Sequence, residues 1–136
     1  MPFMVWNDKL SVSVDILDED HKRLVEMMNE LYDAIQNGHS KDVAINIFDR
    51  LTDYTHYHFA HEEALFARTG YPEAARHKQE HDTMVARVDD LRERLHDGMV
   101  PSLSLEVMND LKDWLFDHEM TWDRRYPPYL NAAGVH

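Results

Sequence analysis

The feature that most constrains this chain is a set of two metal-donor pairs between Tyr54 and His81, each spaced by one turn of an α-helix. His58 and Glu62 are four residues apart, as are His77 and His81. On a helix, side chains at this spacing project from the same face, and both pairs lie within apolar stripes. The spacing therefore predicts two helices that each present two potential metal ligands on one face.

Helical patterns before and after this stretch carry further donors. His21 lies in an amphipathic stripe that continues through Leu24–Ile35 at intervals of three and four residues. Near the other end, His118 and Asp123 belong to a comparable segment. The chain thus contains four candidate helices, and in an antiparallel arrangement all four can direct donors to one level of the core.

The expected helix ends follow from residues that favour such positions. Polar N-caps are expected at Asp18, at Ser40 and, after Pro101, at Ser102 or Ser104. Pro72 suits the first turn of the third helix, because proline lacks the N–H that would have no partner there. The first three helices are expected to end at Gly38, Gly70 and Gly98. Pro127 and Pro128 limit the fourth helix, with a short turn following through Leu130.

These elements predict an all-α fold: an antiparallel up-down-up-down four-helix bundle with an irregular N-terminal arm. We expect residues 1–136 to form a single domain, with the arm in residues 1–17 and the bundle in residues 18–130. Residues 11–16 alternate in polarity like a short extended segment. Trp6 and Val12 are expected to pack on the outside of the bundle.

Composition narrows the classes of function. The formal net charge of −12 disfavours binding to nucleic acid or to anionic membrane surfaces. No apolar run approaches the roughly 18 residues of a membrane span, and Asn7 and Asp8 interrupt any apolar signal segment. We therefore expect a cytoplasmic protein that acts on a small ligand or a protein partner.

The donor inventory itself indicates a metal. Cysteine is absent, so any metal must be held by nitrogen and oxygen. Burying five imidazoles and two carboxylates without a cation would leave many polar groups unsatisfied. Such a set suits iron, manganese or zinc, and it is too large for one four-coordinate zinc. With a bridging oxygen, these donors would fill all but one position of two octahedral ions.

Two competing metal motifs fit poorly. The segment His77–His81 places its glutamate in the wrong position for the H-E-x-x-H metalloprotease helix. Ferritin-like bundles need paired Glu-x-x-His motifs, and only Glu93 and His96 have that spacing, beside a predicted loop. We expect His39, His56, His96 and His136 to be surface residues. We expect His61 to face outward or to pair between helices; the alternative is a place directly behind the metal ligands.

The ordered donor motifs resemble those of the hemerythrin family, and in particular its single-domain bacterial members. The resemblance spans about residues 6–130 and includes Asp20-His21-Lys22-Arg23-Leu24, His58-Phe59-Ala60-His61-Glu62-Glu63, His77-Lys78-Gln79-Glu80-His81, and Trp114-Leu115-Phe116-Asp117-His118 with Asp123 and Tyr126. It implies a non-haem, oxo- or hydroxo-bridged di-iron centre that binds dioxygen reversibly. By position it implies terminal ligands at His21, His58, His77, His81 and His118, with Glu62 and Asp123 as bridges.

Glu119 departs from the family pattern, in which this position usually holds an aliphatic residue beside the bound gas. On a helical wheel Glu119 lies in the sector between His118 and Asp123, so we expect it to face the metal pocket, near Leu115 and Trp122. A carboxyl group there could occupy the open position or donate a proton. The alternative is that Glu119 turns to solvent or pairs with an arginine such as Arg124 or Arg125.

Two classes of function follow. The first is an oxygen-binding protein for storage, delivery or sensing, whose ligand is dioxygen. The alternative is a di-iron peroxidase or oxidase that acts on peroxide and uses Glu119. The chain could also be the sensory module of a larger signalling protein, or act with a protein partner.

Overall fold

Four long helices dominate the parts of the chain that this computed structural model describes, residues 3–38, 41–98 and 104–136. They form the predicted up-down-up-down bundle, and none of these residues lies in a strand. A 3-10 turn at Asp8–Leu10 precedes them, and a short fifth helix follows. The helices are α1 (Asp15–Gln36), α2 (Lys41–Thr69), α3 (Ala74–His96), α4 (Leu105–Thr121) and α5 (Pro127–Ala132).

Several predicted helix ends are confirmed. Gly38, Gly70 and Gly98 follow α1, α2 and α3 with positive φ angles of 69°, 69° and 74°, a conformation that glycine adopts without steric cost. Ser104 is the N-cap of α4, where its side chain accepts a hydrogen bond from the Val107 N–H. The predicted boundary residues Ser40, Pro101 and Ser102, and the predicted surface residue His39, lie outside the described residues.

Two predicted starts are wrong. Helix α1 begins at Asp15, and Asp18 lies within its first turn. The Asp18 carboxylate instead accepts hydrogen bonds from the Val12 N–H at 2.8 Å and the Ser11 hydroxyl at 2.6 Å, so it fixes the arm rather than capping the helix. Pro72 lies in the turn between α2 and α3, because α3 begins only at Ala74.

The N-terminal arm is more deeply buried than the sequence suggested. Val12 is 1% exposed and packs in a cluster at one end of the bundle, so its predicted place on the outside is wrong. Val12 is covered because the arm packs in this cluster together with residues of α1, α2 and α5. Trp6 is half-buried against the main core, with the Lys22 ammonium 4.5 Å from its ring. The end cluster comprises Val12, Val14, Leu17, Leu65, Phe66, Tyr71, Tyr126 and Leu130.

A polar layer separates this end cluster from the main core. Along α1, His21 lies between Leu17 of the end cluster and Leu24 of the main core. Along α2, His58 and Glu62 lie in the corresponding interval. The bundle therefore seals the layer between two apolar regions. Within the described ranges, no helix has both the length and the apolar character needed to cross a membrane.

Candidate metal centre

Seven of the predicted donors converge in the polar layer. All are buried, and none exceeds 4% exposure. Helix α1 contributes one, α2 and α3 two each, and the C-terminal end of α4 the remainder. These residues are His21, His58, Glu62, His77, His81, His118 and Asp123.

The histidines fall into two groups. On the α1/α2 side, His21 and His58 lie with Glu62; on the α3/α4 side, His77, His81 and His118 lie with Glu62 and Asp123. Within each group, one ligand atom per residue lies within 4.8 Å of the others. Each group is thus compact enough to surround one cation.

The two carboxylates connect the groups. Glu62 Oε1 is 2.9 Å from His58 Nε2 and 3.4 Å from His81 Nε2. Asp123 Oδ1 is 3.0 Å from the Nε2 atoms of both His77 and His118, while its Oδ2 is 3.4 Å from His21 Nε2. Both carboxylates therefore contact nitrogen donors of each group, as bridging ligands must.

The position of Asp123 depends on how α4 ends. The helix stops at Thr121, and the N–H groups of Trp122 and Asp123 both donate to the His118 carbonyl, at 2.8 and 3.1 Å. Asp123 therefore lies just beyond the helix rather than on its regular face. This turn brings its carboxylate back towards His118.

Buried polar atoms without partners indicate what the layer is built to hold. Although they lie close to one another, the carboxylate oxygens of Glu62 and Asp123, together with His21 Nε2 and His81 Nε2, form no hydrogen bond of normal geometry with any described residue. Burial of such groups is costly. Their lone pairs converge without satisfying one another, and imidazole and carboxylate are suitable donors for cations such as iron, manganese or zinc. The residues present therefore fit a metal centre.

The charges of the buried side chains in the layer also favour a metal centre. Burial alone would raise the pKa of Glu62, but His58 and its neighbours hold the pKa of that carboxyl well below its usual range. For His58, burial opposes the positive charge, whereas Glu62 and Asp20 raise the pKa to about 10. For His21, burial and the nearby His58 lower the pKa. Metal-free protein thus keeps anionic carboxylates close together, which favours binding of a cation.

Carboxylates outside the layer orient two of the histidines. His58 donates its Nδ1–H to Asp20 at 3.1 Å, and His81 donates its Nδ1–H to Glu63 at 2.9 Å. Such contacts fix the tautomer and aim Nε2 inward. Asp20 and Glu63 belong to the motifs quoted above and directly adjoin predicted ligands, but no role was predicted for either.

His61 pairs with a residue of a neighbouring helix. The sequence left open whether it would face outward, pair between helices or lie behind the metal ligands. Its side chain is 20% exposed and its Nδ1 lies 2.7 Å from Asp20 Oδ2, so it contacts the same carboxylate as His58. By contrast, His56 is exposed and pairs with Asp89, as expected for a surface residue.

Aromatic rings pack against the α3/α4 histidines. Phe59 stacks on His81 with centroids 3.8 Å apart and planes within 2°. Trp114 stacks on His118 at 4.8 Å and 10°. The edge of the Trp122 ring system lies towards His77, with centroids 5.9 Å apart. These contacts restrict the rotation of the imidazoles on this side.

Glu119 faces the interior. It is 2% exposed, its Oε1 lies 4.0 Å from His21 Nδ1, and its oxygens accept no hydrogen bond within the described part of the chain. Burial and the negative charge of Asp123 raise its pKa to about 9. Arg124 instead contacts the Lys9 carbonyl, and Arg125 contacts Glu73 and Trp122. The solvent-exposed and arginine-paired alternatives for Glu119 are therefore wrong.

Leu115 packs on the main core, where it lines an apolar cavity of about 40 Å³. It is half-buried, and Phe59 and Trp114 line the same cavity. None of the described residues that line the cavity is charged. Leu115 thus belongs to the apolar main core, whereas Trp122 contacts His77 on the α3/α4 side.

Known proteins share this fold. Residues 12–130 match the family model described as the hemerythrin HHE cation binding domain. The chain belongs to the hemerythrin family. As a hemerythrin, it has a buried histidine and carboxylate group that fits a metal site, in a family that binds iron.

Individual hemerythrin relatives cover nearly the whole chain. A bacteriohemerythrin from Stenotrophomonas maltophilia is 36% identical over 132 residues, which is 97% of this chain and 84% of that protein. One from Pseudomonas aeruginosa is 36% identical over 126 residues, covering 93% and 80% of the two chains. The crystal structure of a wild-type hemerythrin matches with a TM-score of 0.90 and 31% identity, covering 94% of this chain and 98% of that one.

Proposed function

We propose that this hemerythrin is a di-iron protein that binds dioxygen reversibly, for storage, delivery or sensing. The observation that carries the proposal is the convergence of five imidazoles on two carboxylates that both groups share, in a sealed layer whose donor atoms lack other partners. Membership of the hemerythrin family supports iron as the metal. When bound, the two ferrous ions would supply the electrons that dioxygen takes up.

The grouping of the donors suggests how the protein would hold the two ions. We assign His77, His81 and His118 to one ion and His21 and His58 to the other, with Glu62 and Asp123 bridging. The α1/α2 side then has one imidazole fewer than the α3/α4 side. We therefore place the dioxygen position on the α1/α2 side, next to His21.

The protein would control this position mainly by excluding water and fixing its ligands. The end cluster closes one side of the layer and the main core closes the other. Leu115, Glu119 and Trp122 are the proposed pocket residues besides the ligands. Of these, Glu119 borders the α1/α2 side: its Oε1 lies 4.0 Å from Nδ1 of His21, whose Nε2 contacts Asp123.

Glu119 also supports a second candidate function, that of a di-iron peroxidase or oxidase. A buried carboxyl that carries a proton can deliver it to the leaving oxygen when an O–O bond breaks heterolytically. The observation that favours this role is a carboxyl without a hydrogen-bond donor within the described residues, 4.0 Å from His21. The same group could instead coordinate the open position.

Addition of oxygen to the anaerobically reduced, iron-loaded protein tests the two candidates. A carrier should develop a visible absorption band that disappears on deoxygenation, over repeated cycles. Immediate conversion to a stable ferric form with peroxide-dependent dye oxidation would support the enzyme. Protein that contains no stoichiometric transition metal after expression in iron-replete cells would contradict both.

Glu119→Ile sharpens this test. Isoleucine restores the aliphatic wall, so the oxygenated form should persist several-fold longer than in the unmodified protein. Stopped-flow absorption measures the lifetime, and Glu106→Ile on the exposed surface of α4 is the control. An unchanged lifetime would contradict the proposed place of Glu119 beside the dioxygen position.

The cytoplasmic location and the link to a signalling domain or protein partner remain predictions from the sequence.

A further inference from the structure

One carboxylate on the α1/α2 side accepts hydrogen bonds from three side chains. Asp20 is 6% exposed. Its Oδ2 lies 3.1 Å from His58 Nδ1 and 2.7 Å from His61 Nδ1, and its Oδ1 accepts a hydrogen bond from the Tyr54 hydroxyl at 3.2 Å. An ionised carboxylate only accepts hydrogen bonds, so both imidazoles donate to it from Nδ1.

The three donors all come from α2, whereas Asp20 belongs to α1. Tyr54, His58 and His61 are spaced so that they lie along one face of α2. Asp20 directly precedes His21 in α1. The hydrogen bonds that hold Asp20 therefore also restrict the rotation of α1 at His21, whose side chain lies in the layer. Both histidines of the α1/α2 group are thus tied to Asp20, one through its side chain and the other through the backbone.

The corresponding carboxylate on the α3/α4 side has less support. Glu63 accepts a hydrogen bond from His81 at 2.9 Å and lies 4.0 Å from the Lys78 ammonium, which is itself exposed. Glu63 is also 25% exposed, compared with 8% for the side chain of Asp20. The shortest of the contacts to Asp20 is the one from His61, which is not among the residues that face the metal layer.

We propose that His61 is a positioning residue for the α1/α2 half of the metal centre, acting through Asp20. Its Nδ1–H holds the carboxylate in place, and Asp20 then keeps His58 in the tautomer and orientation that direct Nε2 inward. This inference rests on the proposed di-metal centre. The predicted effect of losing His61 is therefore confined to one of the two metal positions.

Anaerobic titration of metal-free protein with Co²⁺ alone, followed by visible absorption, tests the inference. The full-length protein is expected to bind two ions. His61→Ala should weaken one of the two binding steps by about ten-fold, the low end of the effect expected when an outer partner of a metal ligand is removed. The other step should change by less than two-fold. The weakened step should be the one that His21→Ala abolishes.

Two further variants separate positioning from general structural loss. His61→Asn places an amide N–H donor where His61 has Nδ1, so it should restore most of the lost affinity. His56→Ala, an exposed histidine on the same helix that pairs with Asp89, should bind both ions as the unmodified protein does. Since His61 is partly exposed, we expect His61→Ala to fold, and circular dichroism of the metal-free variants checks this.

The outcomes are distinct for the inference and for the proposed function. Suppose that the unmodified protein binds two ions. The inference is then wrong if His61→Ala binds both ions as tightly as the unmodified protein does, or if both of its binding steps are weakened to the same extent. The same conclusion follows if His61→Asn binds the weakened ion no more tightly than His61→Ala does. If the unmodified protein binds fewer than two ions, the proposed centre is wrong and the inference falls with it. Because cobalt binding is measured, a failure to bind oxygen reversibly affects only the proposed function.

Discussion

The two halves of the metal layer are built by different means. On the α3/α4 side, Phe59 stacks on His81 and Trp114 on His118, and the partly exposed Glu63 accepts a hydrogen bond from His81. On the α1/α2 side, two imidazoles are bordered by carboxyl groups: Asp20 binds His58, and Glu119 lies beside His21.

This difference teaches how one small bundle can treat two adjacent cations unequally. Stacked aromatic rings leave little freedom and add no charge, so they suit a position whose ligands stay fixed. Carboxyl groups set orientation and carry or release charge and protons. The α1/α2 half is thus the one equipped to respond to an incoming ligand, and the following substitutions test this contrast.

The largest effect is expected where the halves meet. Asp123→Ala removes a carboxylate that contacts His77 and His118 through one oxygen and His21 through the other. Loss of a residue that only orients a metal ligand typically lowers affinity by about 10–100-fold. Because Asp123→Ala removes a ligand from both metal positions, iron affinity should fall by about 100-fold or more. Metal analysis after dialysis measures it. Asp117→Ala, an exposed position in α4, is the control; retention of two ions by Asp123→Ala would contradict a shared bridge.

A smaller, pH-dependent effect is expected from Glu119 alone. Its folded-state pKa is raised to about 9, above the ordinary value of 4.5. Below pH 4.5 both folded and unfolded states hold the proton, so no penalty arises. As the pH rises towards 9 only the unfolded state releases it, and folding is increasingly penalised.

Glu119→Gln keeps the shape of the side chain and removes this ionisation. In metal-free protein, the variant should match the unmodified protein near pH 4.5 and become increasingly more stable than it towards pH 8, by up to about 1.4 kcal/mol for each pH unit. Urea unfolding at several pH values measures the difference, with Glu106→Gln as the exposed control. If the difference in stability between the two proteins does not change with pH, ionisation of Glu119 does not distinguish the two halves of the layer.

The smallest effect is expected from the packed side. Phe59→Leu removes the ring stacked on His81 but keeps an apolar side chain, so the free energy of unfolding should fall by about 1–2 kcal/mol. Affinity for the first metal ion should change by less than about ten-fold, below the usual loss for a hydrogen-bonding partner. Denaturant unfolding and Co²⁺ titration measure the two quantities. A larger loss of metal than of stability would indicate that stacking, too, sets ligand orientation.

Local sequence patterns predicted the fold and the faces of the helices well. The intervals from His58 to Glu62 and from His77 to His81 each span one helical turn, and the structure keeps both pairs on helices that face one layer. The four-helix bundle is confirmed. Glu119 faces inward as the helical wheel predicted, because periodicity within a single helix depends only on backbone geometry.

The chain ends and the outer contacts were harder to predict. Asp18 resembles an N-cap, yet it binds the arm, and Val12 lies inside rather than outside. The partner of His61 was not predicted: it contacts Asp20, which is 41 residues away in the sequence. Such contacts depend on which segments pack against each other in the fold. A periodic pattern within one helix does not contain this information.

The sequence by itself determined that four amphipathic helices would each bring nitrogen or oxygen donors to the core, since helical spacing is a local property of the chain. Only the tertiary structure decided that the histidines divide into groups of three and two, that Asp123 turns back beyond the end of α4, and that Asp20 joins His58 to His61. The reason is that the offset and rotation of one helix against another are set by the packing of all their side chains at once.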